Sequence, residues 1–190
     1  TAVVVAVSAS GGGSKGGGGA FAVGGSLARN LIGWENDLEK SAVAVQAYIA
    51  NTNLNASGAL SLEAQAKNEI EARVGAGSVA IAGGKSGAGG VSGSCVLTEN
   101  RVNTEIEAFI TGDENTSIEA DAISINAEET PYINAQAGAA SVGFAAGKAG
   151  ATLSLGGTLA INDISNQVLA YVSDVAQLTS TSGDITLSAD

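Results

Sequence analysis

The chain has 190 residues, eight basic and nineteen acidic, for a formal net charge of −11 without any histidine. That balance excludes a nucleic-acid backbone or an anionic membrane as an attractive partner for the chain as a whole. The missing histidine removes the commonest general base, and the lone Cys95 removes internal disulfides and Cys/His zinc sites.

Glycine contributes 27 residues, and the apolar content consists mostly of small side chains. Such a chain fills thin layers with closely approaching backbones rather than a thick core. No apolar run of 18 residues is free of glycine or polar breaks, so no membrane span is expected. The chain begins at Thr1 without a signal peptide, and it reads as a segment of a longer protein.

In chain order, the first recognisable stretch is VAVSASGGGSKGGGG (5–19), which ends in a glycine run around Lys15. Leu27, Leu31, Trp34 and Leu38 follow at i, i+4, i+7 and i+11, the spacing of a helical stripe interrupted by Gly33. The expectation is a short helical or loop insert near residues 27–40, holding the only tryptophan. Trp34 there either seals a face of the fold or contacts a glycan or protein.

VQAYI (45–49), IEAFI (106–110) and VLAYV (168–172) form one set of related segments. GALSLEA (58–64), DAISINA (121–127) and GDITLSA (183–189) form another, and SVAIAGGKSGAGG (78–90) matches SVGFAAGKAGATL (141–153). Ser61 to Lys85 and Ser124 to Lys148 are both 24 residues, which makes the repeat 62–63 residues long. Three approximate copies result, 1–64, 65–127 and 128–190, in one segment continuous with further repeats. The first copy carries about nine extra residues around 31–40.

Lys85 in GGKSGAGG resembles a phosphate-loop lysine at first sight. The motif wants a glycine five positions before the glycine of its GK pair, and Val79 stands there, as Val142 does in the copy at Lys148. These lysines are read as occupants of a repeated turn.

Alternation with period two marks the segments as strands. Leu60, Leu62, Ala64 and Ala66 share one face, as do Ile123, Ile125 and Ala127, and Val102, Ile106, Ala108 and Ile110. The same alternation turns Tyr48, Phe109 and Tyr171 outward, one per repeat. Cys95 is in phase with Val91 and Leu97 and is expected to point inward. GDENTS (112–117) puts oxygen donors together, so Asp113, Asn115, Glu119 and Asp121 are weak calcium candidates. An EF-hand pattern fails, because its sixth position is Ile118 rather than glycine.

Short one-sided strands in a repeat point to an all-β parallel β-helix, a β-solenoid, in preference to a β-sandwich. At roughly 20 residues per coil, each repeat is about three coils and the chain about nine. The outward aromatics would then stand roughly 14 Å apart.

Units of the form SVAIAGGKSGAGG, NTEIEAFI and ADAISINA resemble the repeats of very large bacterial surface proteins of the filamentous-haemagglutinin and adhesin type. The resemblance implies a secreted or cell-surface bacterial rod that spaces adhesive elements, with no catalytic residue and no cofactor. The partners it implies are neighbouring repeats or subunits, and glycans or proteins of other cell surfaces. The alternative is a carbohydrate- or protein-binding module on the Trp34 insert, with Tyr48, Phe109 and Tyr171 as further contact candidates. The least favoured reading is an enzyme acting on polysaccharide.

Overall fold

The computed structural model describes residues 2–35 and 39–190. Every regular element among them is a strand. In chain order these are β1 (Ala2–Ser14), β2 (Gly17–Ile32), β3 (Val43–Ala50), β4 (Leu54–Asn55) and β5 (Leu60–Ala66). Next come β6 (Glu69–Gly84), β7 (Gly87–Val102), β8 (Thr104–Thr111), β9 (Ser117–Ala120) and β10 (Ile123–Glu129). The last five are β11 (Tyr132–Ala146), β12 (Gly150–Ile164), β13 (Gln167–Ser173), β14 (Gln177–Ser180) and β15 (Ile185–Ala189).

They form five sheets of three strands each, in the orders β1-β6-β11, β12-β7-β2, β13-β8-β3, β14-β9-β4 and β15-β10-β5. Pairing is parallel, and partners lie one repeat apart, as in Leu60↔Ile123, Ile123↔Ile185 and Ile106↔Val168. Nine coils would give sheets of nine strands, so that expectation is corrected: a 62–63-residue repeat supplies one strand to each sheet. The period was right, but the length of chain spent per layer was underestimated, because β6, β7, β11 and β12 run to 15–16 residues each.

The helical expectation over 27–40 is also corrected. Leu27 and Leu31 lie in strand β2, and no helix occurs among the described residues. A spacing of four residues returns a side chain to the same face of a strand as well as of a helix. Leu38 lies outside the described residues. The extra residues themselves show in the register. The offset is 70 between Ala2 and Ala72 but 61 between Val43 and Thr104, so nine residues are inserted between β2 and β3.

The chain divides into two compact units, each drawing on all three repeats. The first comprises residues 1–30, 70–100 and 133–162, and the second 31–69, 101–132 and 163–190.

In the first unit, the sheets β1-β6-β11 and β12-β7-β2 face each other across a layer of small side chains. Ala72, Ala76, Ala80, Ser78, Ser92, Ser94, Thr98 and Asn100 are buried in it. The approach is so close that a Cβ at Gly24 of β2 would land on the Gly77 carbonyl of β6. Large side chains have no room inside and stand outside, so Val3, Val5, Val7, Phe21, Leu27, Ile81, Phe144 and Leu155 are exposed. Cys95 follows the same rule. It is exposed, against the inward expectation, because its in-phase neighbour Val91 lies on the outer face too. Alternation fixes which residues share a face, but not which face is inside.

The second unit packs its three sheets around a conventional apolar core. Ile106, Ala108, Ile110, Ile118, Ala120, Ile123, Ile125, Ala127 and Ala64 are buried together. Each fully buried isoleucine contributes about 1.5–3 kcal/mol relative to exposure. The faces read from alternation in 60–66, 102–110 and 123–127 are the faces found here.

Candidate interaction site

Two groups of side chains in the second unit are built beyond what core packing requires, the Trp34 insert and an aromatic ladder. In the insert, Gly33 adopts φ +71°, a left-handed conformation that glycine takes without steric cost. A Cβ there would also meet the Asn103 carbonyl, while Asn103 Nδ2 donates to the Gly33 carbonyl at 3.1 Å. The Ser41 N–H donates to the Gly33 carbonyl, and Glu35 N–H to the Glu39 carbonyl, both at 3.0 Å. These bonds close the neck of the loop, where Trp34 and Lys40 form an antiparallel bridge.

The Trp34 ring lies between two cations, with Arg101 Cζ 4.7 Å and Lys40 Nζ 5.3 Å from a ring centroid. Such contacts are worth about 0.5–1 kcal/mol each when exposed. Lys40 Nζ also donates to Ser165 Oγ at 2.6 Å, which ties the insert to the third repeat. The indole Nε1 is buried without an acceptor.

The outward aromatics are one repeat apart in sequence and directly adjacent in space. The Tyr48 and Phe109 centroids are 5.2 Å apart with planes at 9°, and those of Phe109 and Tyr171 are 5.0 Å apart at 1°. The roughly 14 Å spacing is thereby corrected, since the rings follow the separation of neighbouring strands. Both faces of Phe109 are covered by its neighbours. The backs of the same strands put Ile110 in the core and Ile49 against it, with Tyr48 57% exposed.

Acidic side chains flank the ladder. Burial, then the carboxylates of Glu107 and Glu105, push the Tyr171 phenol above its ordinary value. Neighbouring copies avoid stacking like charges. Gln46 Nε2 donates to Glu107 at 2.5 Å, Gln65 Nε2 to Glu128 at 2.8 Å, and Asn68 Nδ2 to Glu129 at 2.6 Å. Each carboxylate thus faces an amide of the adjacent repeat, where a second carboxylate would repel it.

The calcium candidates are not brought together. Asp113 Oδ1 accepts from the Asn115 N–H at 2.8 Å and from Thr116 Oγ1 at 3.1 Å, closing its own turn. Asp121 Oδ1 accepts from Thr181 Oγ1 at 2.9 Å, and Glu119 lies on β9. Among the described residues no group of three His, Cys, Asp or Glu is placed to hold a metal. Lys15, Lys85 and Lys148 sit in the turns that join β1 to β2, β6 to β7 and β11 to β12, where the repeat puts them.

Side-chain ladders were not anticipated from the sequence. Asn30 donates to Asn100, and Asn100 to Asn162, each at 2.8 Å; Ser92 and Ser154 bond at 2.9 Å. The signal was present as identical residues at repeat offsets. The chain matches no protein-family model, and comparison with curated proteins and with solved structures gives no match.

Proposed function

We propose that this chain is a structural segment of an extracellular bacterial surface adhesin or filament. It winds as a β-solenoid with one turn per repeat and serves as a stalk that spaces other elements. The observation that carries this reading is the matching of like side chains between successive repeats. Asn30, Asn100 and Asn162 bond in series, and Tyr48, Phe109 and Tyr171 stack in series. Polar and aromatic groups are engaged by the neighbouring repeat instead of converging on a ligand. A parallel register of this kind can be extended by any further repeat of the same pattern. Neighbouring repeats or subunits are then the principal partners.

The second reading is a binding module on the insert, favoured by the Trp34 indole N–H that has no acceptor. A glycan array run on wild type and Trp34→Ala, together with their thermal unfolding, separates the two. The stalk reading expects no glycan signal in either protein and a lower melting temperature for the variant. A wild-type glycan signal that Trp34→Ala abolishes at unchanged melting temperature overturns it.

A further inference from the structure

Charge is divided unevenly between the two units. The first holds Lys15, Arg29, Arg73, Lys85 and Lys148 against Glu71 and Glu99, a balance of +3; the second therefore carries −14 of the total −11. Arg29 pairs with Glu99 at 2.8 Å, and Arg73 with Glu71 at 2.5 Å. The remaining charges of the first unit are the three lysines, one in each turn at the same end of its strands.

Between those ends both outer faces are uncharged and largely apolar. On one, the 70- and 62-residue offsets fixed by Asn30–Asn100 and Ser92–Ser154 align Phe21, Val91 and Leu153 in one row. Leu27, Leu97 and Leu159 form a parallel row. On the other face Val3, Val5, Val7, Ile81, Val142 and Phe144 are exposed.

The length of the uncharged band is informative. Lys85 to Glu99 is 14 residues along β7, and Arg73 to Lys85 is 12 along β6. At about 3.3 Å per residue these span roughly 46 and 40 Å. A bilayer with its headgroups is about 40–45 Å thick.

From this geometry we propose that the first unit inserts into a lipid bilayer containing anionic lipid, turn end first. Lys15, Lys85 and Lys148 then reach the phosphate layer on the far side, and the two ion pairs mark the near side. A protein copy docked on one face leaves the other apolar face in water, whereas lipid covers both. Phosphate also complements the lysines, which another +3 unit would repel. Small residues inside and large apolar ones outside is the alternation that transmembrane strands require. The backbones of β6 and β7 are paired on both sides within their sheets. The edges at β1, β2, β11 and β12 need covering in lipid, and parallel pairing with a further repeat or copy supplies it. This inference is independent of the stalk reading, which concerns the contacts between repeats.

The test uses Cys95, exposed on the outer face of β7. An environment-sensitive fluorophore is attached there, and a second sample carries it at Ile81→Cys in a Cys95→Ala background, on the opposite face. Vesicles of phosphatidylcholine with phosphatidylglycerol are added, and circular dichroism confirms that each labelled protein keeps its strand content. The proposal expects both probes to shift to the blue on adding vesicles, with quenching by lipids brominated in the acyl chain. Replacing Lys15, Lys85 and Lys148 by glutamine should weaken partitioning about a hundredfold. No shift at either probe overturns the proposal, and so does a shift at only one, which means adsorption by a single face. A shift at both probes without lipid, rising with protein concentration, assigns the faces to a second copy and overturns it too.

Discussion

Asn30 donates its side-chain amide to Asn100 Oδ1 at 2.8 Å across seventy residues of chain, and Asn100 is completely buried. Asn100 passes the pattern on, donating to Asn162 at 2.8 Å. The bond is specific to a side chain that both accepts and donates. Asn100→Ala leaves a donor above and an acceptor below unpaired, and should cost about 1–3 kcal/mol in chemical denaturation. Asn100→Asp keeps the acceptor but loses the donor and buries a charge. It should cost more at neutral pH than Asn100→Ala, and part of that loss should return on acidification.

The pairing of amides with carboxylates between repeats predicts a charge effect on the outer faces. Gln46→Glu places a second carboxylate against that of Glu107 and removes the bond seen at 2.5 Å. The expected loss is about 1 kcal/mol at neutral pH, from lost hydrogen bonding and like-charge repulsion. Below about pH 4, where carboxylates protonate, the repulsive part should disappear. Denaturation midpoints of wild type and variant across that range measure it.

The second unit was legible in the sequence because its strands obey the common rule of large apolar residues inside. Ile106, Ala108 and Ile110 could be placed from alternation alone, with Phe109 on the opposite side. The first unit obeys the reverse rule. Its sheets lie too close for a valine or leucine, as Gly24 against Gly77 shows, so alternation gave the pairing of faces and the wrong interior for Cys95. Its glycine-rich strands also resembled loops, which hid the length of chain in one layer. The insert of nine residues was visible as a shift in spacing. The position of Trp34 between Arg101 and Lys40 was not, since Arg101 comes from the next repeat.

Tyr171 gives a prediction at alkaline pH. Its phenol is held above the ordinary value by burial and by Glu107 and Glu105, so the folded chain favours the neutral form. The associated stability is fully present below the ordinary tyrosine range near pH 10 and is lost as pH rises through the higher folded value. Tyr171→Phe keeps the ring on Phe109 and removes the ionisation. Its melting temperature should fall less than that of wild type between pH 9 and pH 11, taken as a range around that ordinary value.

Gly33 sets the entry to the insert. Gly33→Ala forces a Cβ into a left-handed residue and against the Asn103 carbonyl. The strain alone costs about 1–2 kcal/mol. Tryptophan fluorescence should report it directly, because displacing the loop removes Trp34 from between its two cations. An unchanged emission spectrum and melting temperature would count against the neck described here.

The central claim is that strands one repeat apart are immediate parallel neighbours. Ser61 and Ser124 are direct partners in β5 and β10, and both lie on the outer side of their strands. In a Cys95→Ala background, Ser61→Cys with Ser124→Cys should form an intramolecular disulfide under mild oxidation, since paired Cα atoms stand about 5 Å apart. Ser61→Cys with Thr186→Cys, two strands apart, should not. Efficient cross-linking of the first pair alone is the predicted result. Failure of the first pair, or equal cross-linking of both, would contradict the account.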